Sequence, residues 1–245
     1  MTTEADHFLP GSPAAVSSVA HAIVESLDDA VLGADDHRHI TRVLRARPGE
    51  VVTLTDGRGK WRRAVVPDTW TDPTIQLTDL GPVQTVAHRP ELCIGVALVK
   101  ADKPETVVQK LTEIGIARIV LLSAAHSVVR WDSDKGSKNL VRLAAIAREA
   151  VMQSRGVWLP VISGPVSPSA FIEAELARGR IVAAAQLGGE PVSAELDTIM
   201  IGPEGGWSAE ERVMFGRTVM LSHNVLRAET AAITAGVLLA VLRPS

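Results

Sequence analysis

Two short segments near the end of the chain carry the residues best suited to chemistry. The first is Gly202-Pro203-Glu204-Gly205-Gly206, entered from the apolar run Ile199-Met200-Ile201 and followed by Trp207 and Ser208. The second is Leu226-Arg227-Ala228-Glu229-Thr230-Ala231. Glycines at such a turn let the main chain adopt unusual dihedrals and let a ligand approach it closely. Ser208 with Glu211 three residues on has the form of a capping box, which places a helix start directly after the first loop. Each segment reads as the junction between a strand and a helix. In a parallel sheet such junctions fall on one edge, so the two loops can wall a single pocket. That pocket would offer backbone amides and carbonyls suited to a purine edge, with Glu204 and Glu229 as acids and Arg227 as a cation. Two plainer readings stand beside this one: an ordinary strand-to-helix turn at Gly202–Gly206, and a structural Arg227–Glu229 ion pair at a helix start.

The elements that must position these loops are legible from periodicity. From residue 91 onward the pattern alternates strand and helix. Strands are predicted at 92–99, 116–123, 181–187, 198–201 and 219–221. Helices are predicted from a cap at Asp102 to Gly115, over 138–152, from Ser167-Pro168 to Gly179, and over 228–242. Alternation of this kind implies a largely parallel α/β sheet covered on both faces. The last helix is apolar on nearly every side and is expected to be buried. The first third differs, with short strands at 51–54, 61–66 and 75–80, a hairpin turn at Asp56-Gly57, and a helical turn or two over 37–45. The predicted division is a small β-rich module at 1–80, a linker at 81–90 and an α/β domain at 91–245.

Composition narrows the class. With 46% hydrophobic and 22% charged residues, the 245-residue chain has the make-up of a soluble globular protein. Its one cysteine, Cys93, sits in an apolar run, excludes an internal disulfide framework and suits a reducing cytoplasm. The first ten residues do not have the form of a signal peptide, and no apolar run approaches the about 20 residues of a membrane span. The seven histidines are scattered, so no metal site is expected. A net charge of −3 does not by itself suggest a nucleic-acid partner, but its distribution does. Between Asp36 and Arg63 eight basic residues stand against three acids, enough to hold a phosphate backbone or simply to form a solvated basic face.

The motif Gly202-Pro203-Glu204-Gly205-Gly206-Trp207-Ser208, together with Leu226-Arg227-Ala228-Glu229-Thr230-Ala231, resembles the C-terminal signature of the small-subunit ribosomal RNA uracil-N3 methyltransferases (RsmE type), members of the SPOUT class. Three further segments match in order: His39-Ile40-Thr41-Arg42-Val43-Leu44-Arg45 with Gly49 and Asp56-Gly57; Lys100, Lys103 and Lys110 to Gly115; and Glu149-Ala150 with Gln153-Ser154 and Pro160. The chain departs from the family pattern at Gly156, with Arg155 one position early, at His126 in place of an arginine, and at Trp207 in place of the commoner phenylalanine.

The resemblance implies an α/β SPOUT-like C-terminal domain with a deep trefoil knot, preceded by a PUA-like β-barrel that binds RNA. Knots are rare, and no rule of local sequence points to one. It further implies a homodimer, cytoplasmic and without metal, that uses S-adenosylmethionine to methylate N3 of a uridine in 16S ribosomal RNA of the 30S subunit. By the same analogy the cofactor is held by Leu187, Gly188, Ile201 to Gly206 and Leu226 to Ala231. Arg227, Glu229 and Glu204 are the catalytic candidates. RNA contacts are expected from Arg38, His39, Arg42, Arg45, Arg62, Lys100, Lys103, Lys110 and Arg155. Rival functions are a ribose 2′-O methyltransferase of the same class, whose upstream Asn-x-Gly…Arg motif has no clear equivalent here, and a non-catalytic RNA-binding protein. A dinucleotide enzyme is disfavoured, since no Gly-x-Gly-x-x-Gly opens the first strand–helix unit.

Overall fold

The computed structural model describes residues 11–87, 91–98, 103–131 and 133–243. Over these the chain forms two compact units, Met1–His88 with Arg148–Leu159, and Arg89–Ala147 with Pro160–Ser245.

The first unit is built on a four-stranded sheet. Strand β1 (Ala20–Ile23) pairs in parallel with β2 (Val51–Thr55), which pairs antiparallel with β3 (Lys60–Val65), and β3 with the short β4 (Gln84–Thr85). Asp56 closes the β2–β3 hairpin, its side chain accepting from the Arg58 and Lys60 amides. Helix α1 (Ala34–Arg38) continues into a wider helical turn over His39–Val43, as the spacing of apolar residues there predicts. Val24, Leu32, Ile40, Val52, Leu54, Ala64 and Leu77 make the core. The strand predicted over 75–80 is absent, and only Thr78 bridges to Val65. Asp72 turns the chain by accepting from the Thr74 amide and hydroxyl, and Asp79 has a φ of 45°, so neither end is extended. Within the predicted linker, Gln84 and Thr85 pair with Trp61 and Lys60.

The segment Arg148–Leu159 belongs to this unit through contacts of long sequence separation, which no local pattern announces. Arg155 donates to the Val16 and Ser18 carbonyls, Arg148 pairs with Asp36, and the Gly59 amide donates to the Val157 carbonyl. At the centre is His21, 6% exposed, with Nε2 2.8 Å from the Gly156 carbonyl and Nδ1 2.8 Å from the Thr53 hydroxyl. A carbonyl only accepts, so Nε2 carries the proton and Nδ1 accepts from Thr53. Burial pushes the His21 pKa down to about 4; the Gly156 carbonyl opposes this and the Arg155 charge adds to it. Between about pH 6.5 and 4 the unfolded chain therefore binds a proton that the folded chain does not, and stability falls as pH drops through that window. The full loss is about 3 kcal/mol. Urea unfolding at pH 7 and pH 5 should show about 2 kcal/mol less stability at the lower pH from this group. A His21→Gln variant with the same pH dependence as wild type would count against it.

In the second unit six strands lie all parallel in the order β10-β8-β9-β5-β6-β7. In chain order they and their helices are β5 (Cys93–Ala97), α2 (Lys103–Ile114), β6 (Arg118–Leu122), α3 (Ser133–Ser154, whose residues from Arg148 on belong to the first unit), β7 (Val161–Val166), α4 (Pro168–Ala177), β8 (Val182–Pro191), β9 (Thr198–Ile201), α5 (Ala209–Arg212), β10 (Thr218–Met220) and α6 (Ala228–Leu242). The predicted cap at Asp102 and the strand end at Val99 lie outside the described residues. Strand β7 is not among the predicted strands; it is an edge strand, where Pro165 removes no needed donor. Alternate residues of the central strands face opposite layers. Ile94, Val96, Ile119, Leu121, Ile199 and Ile201 pack with Leu111, Leu143, Ala232 and Leu239. Cys93, Ala97, Val120, Leu122 and Met200 pack with Phe171 and Trp207. Burial pushes the Cys93 thiol up to about 12, with the Glu175 charge adding to it, as befits a structural thiol.

Helix α6 corrects one expectation. Its Ala231, Ala232, Ala235, Gly236 and Leu239 are buried, but Val237 and Val241 are exposed, because only one side of a helix can lie against the sheet and α2. Below the strands, Glu175 is fully buried and holds Arg118 at 2.7 and 2.9 Å, Arg178 at 3.0 Å and the Thr198 hydroxyl at 3.1 Å.

Candidate active site

Strand β9 delivers the glycine loop to the sheet edge. Beyond it the capping box forms as its residues dictate: the Ser208 hydroxyl accepts from the Glu211 amide, and the Glu211 carboxylate accepts from the Ser208 amide. Within the loop the Gly206 amide donates to the Pro203 carbonyl at 2.8 Å, with Gly206 at φ 72°. Trp207 is buried and meets the Phe215 ring edge-on at 5.1 Å. Its indole lies so close to Gly202 that a Cβ there would stand 2.9 Å from the ring. The β6–α3 connection backs the loop. Its Ala125 amide donates to Glu211, and His126 Nδ1 reaches the Gly205 and Gly206 carbonyls. The neighbouring Glu210 carboxyl is held below its ordinary range, chiefly by its own amide and the Ser208 hydroxyl, with His126 a lesser contributor.

The second wall is the far end of β8. It runs past its predicted end at Leu187 because Glu190 and Pro191 pair with Val219 and Met220 of β10. Gly189 permits this close approach, since a Cβ would lie 2.7 Å from the Val219 backbone. The third wall follows β10 into α6. Together the three enclose a cavity of about 400 Å³, within the range of small-molecule sites.

Of the cofactor candidates, Leu187, Ile201, Gly202, Pro203, Glu204, Gly206, Leu226, Ala228 and Ala231 line this cavity. Gly188, Gly205, Arg227, Glu229 and Thr230 do not. Gly205 is turned toward His126, and Arg227 contributes its backbone as the cap of α6 with its side chain exposed. Glu229 occupies the first turn of α6 and is half-buried; Glu204 is exposed. Sequence reasoning missed Ala185, Gln186, Arg212, Leu221, Ser222, Asn224 and Val225, and Trp207, which lies inside the motif, was not counted as lining. The polar run Ser222-His223-Asn224 after a short strand was the available signal for part of this set.

The RNA candidates separate into two groups. Arg38, His39, Arg42 and Arg45 are exposed on the first unit, with Arg38 paired to Asp35. Arg62 is instead internal. Its guanidinium donates to the Gly81 and Leu27 carbonyls and to Asp28. Arg155 is committed in the same way to Val16 and Ser18, so the donors of both side chains are engaged within the fold. Lys110 pairs with Glu113 along α2. Lys100 and the side chain of Lys103 lie outside the described residues. Among the described residues no cluster of His, Cys, Asp or Glu is placed to hold a metal, and no helix is long and apolar enough to cross a membrane.

Comparison with known proteins identifies the family. An RNA methyltransferase domain family matches residues 87–240, and an RNA methyltransferase PUA domain family matches residues 32–77. The Ribosomal RNA small subunit methyltransferase E of Mycobacterium bovis is 30% identical over 234 residues, covering 86% of this chain and 87% of its own. A Legionella pneumophila protein described as a methyltransferase, solved with the cofactor SAM bound, is 26% identical over 92% of this chain and 98% of its own, with a TM-score of 0.76. Ribosomal RNA small subunit methyltransferase E of Neisseria gonorrhoeae, bound to S-adenosyl methionine, is 21% identical over 91% of this chain and 97% of its own and shares the fold, with a TM-score of 0.77. The glycine loop, the cavity behind it and the match over most of the length agree: this chain belongs to the RNA methyltransferase family.

Proposed function

We propose that the protein transfers the methyl group of S-adenosylmethionine to N3 of a uridine in 16S ribosomal RNA, within the 30S subunit. The observation that carries this reading is the cavity between the glycine loop and the start of α6, in a chain of this family. The residues present suit the cofactor. Gly206 leaves the main chain open to a flat ligand, the apolar Leu187, Pro203 and Leu226 match the faces of an adenine, and Glu204 and Arg212 offer charges of both signs. When bound, S-adenosylmethionine supplies an already activated methyl group. The chain must then place the uracil nitrogen in line with it at near-attack distance. A neutral imide is a poor nucleophile, so Arg227 stabilises the charge that develops on the uracil oxygens as N3 loses its proton. Glu229 or Glu204 accepts that proton.

The proposed cofactor set is that named above, Leu187 to Gly188, Ile201 to Gly206 and Leu226 to Ala231, with Arg227 taking part through its main chain only. The same reading includes a trefoil knot at these loops and a PUA-like barrel at 1–80, joined by a linker at 81–90 to the methyltransferase domain at 91–245. It also includes a cytoplasmic location and a homodimer, which the exposed Val237 and Val241 of α6 support. The deciding experiment incubates the protein with labelled S-adenosylmethionine and small subunits that lack the modification, then identifies the labelled nucleoside. Label on a ribose oxygen, or no transfer, would overturn the proposal.

RNA is held by the exposed basic face of the first unit, Arg38, His39, Arg42 and Arg45, with Lys100, Lys103 and Lys110 from the second. Arg42→Ala with Arg45→Ala should weaken RNA binding and lower the slope of log affinity against log salt by about 2. Cofactor affinity should be unchanged. An unaltered slope would remove these two arginines from the phosphate contacts.

A further inference from the structure

The proposed chemistry makes no use of His126, yet its imidazole grips the glycine loop. Nδ1 lies 3.2 Å from the Gly205 carbonyl and 3.1 Å from the Gly206 carbonyl. Carbonyl oxygens only accept, so Nδ1 carries a proton and donates a forked bond to both. The approach is tight, since a Cβ on Gly205 would stand 3.1 Å from the His126 Cβ. One residue earlier, the Ala125 amide donates to Glu211 at 2.8 Å, and the other oxygen of that carboxylate accepts from the Ser208 amide at 2.8 Å. The β6–α3 connection therefore holds the loop at 205–206 and again at 208.

This grip orients a donor. The Gly206–Trp207 peptide is trans, so the Trp207 N–H points opposite to the Gly206 carbonyl. With that carbonyl turned to His126, the N–H faces away from it and has no acceptor among the described residues. Gly206 and Trp207 both line the cavity. The geometry points to His126 as a positioning residue for the cofactor: by holding the Gly205 and Gly206 carbonyls it presents the Trp207 amide to an acceptor atom of bound S-adenosylmethionine. This rests on reading the cavity as the cofactor site. His126 itself is exposed, so its replacement should leave the fold intact.

The test compares the full-length wild type with His126→Leu and His126→Asn, whose amide nitrogen can stand near the position of Nδ1. Calorimetric titration with S-adenosylmethionine should give a dissociation constant about tenfold higher for the leucine variant, the loss of one hydrogen bond, and within about threefold of wild type for asparagine. In the free proteins, exchange of the Gly206 amide, which bonds to Pro203, should be faster in the leucine variant and restored by asparagine. Thermal midpoints should stay together. Wild-type affinity in His126→Leu, or asparagine as weak as leucine, would overturn the assignment. Failure of the wild type to bind S-adenosylmethionine would sink the cofactor reading and this role with it. The Gly206 exchange rates would then still show whether the clasp exists.

Discussion

Glu175→Ala should lower the unfolding free energy by about 3–5 kcal/mol. The carboxylate is fully buried beneath β6 and β9, and its two oxygens meet Arg118, Arg178 and the Thr198 hydroxyl. Arg118 is itself only 15% exposed along its side chain. With Glu175 removed, its guanidinium is left desolvated without a counter-charge, a cost well above that of losing an exposed pair. Removing Arg178 instead should cost about 1 kcal/mol or less, since its side chain is half exposed. Urea unfolding of the two variants measures both. A loss below about 1 kcal/mol in Glu175→Ala would mean that Arg118 reaches solvent once released.

Arg227→Ala should reduce turnover about a hundredfold, the scale seen when one stabilising donor is taken from a developing negative charge. The affinity for S-adenosylmethionine should hardly move. The Arg227 side chain is exposed and is not among the groups lining the cavity, while its backbone caps α6 whatever the side chain. Single-turnover rates at saturating cofactor, with dissociation constants measured in parallel, separate the two effects. Turnover at the wild-type rate would remove Arg227 from the chemistry. A large loss of cofactor affinity with normal turnover at saturation would make it a binding residue.

Much of the site was legible because its residues are close in sequence. The capping box at Ser208 and Glu211 is a three-residue relation that specifies its own hydrogen bonds, and it formed as written. The strand at 198–201 and the helix at 228–242 likewise follow from local periodicity. The opposite wall was legible only in part. Leu221, Ser222, Asn224 and Val225 reach the cavity because β8 and β10 approach closely at Gly189, and no local pattern encodes a pairing of Glu190 with Val219. Arg62 and Arg155 show the same limit from the other side. Both read as cations for RNA, but whether a guanidinium meets solvent or a carbonyl depends on which backbone lies beside it.

The sequence by itself therefore determined the alternation of strand and helix, the glycine loop with its cap, and the basic face on α1 and the turn that follows it. These are properties of neighbouring residues, set by propensity, capping and periodicity. Only the tertiary structure decided the order of the sheet, the return of Arg148–Leu159 to the first unit, and the hold of His126 on the carbonyls of Gly205 and Gly206. Each of these joins groups dozens of residues apart, and burial and backbone pairing select them once the whole chain has packed.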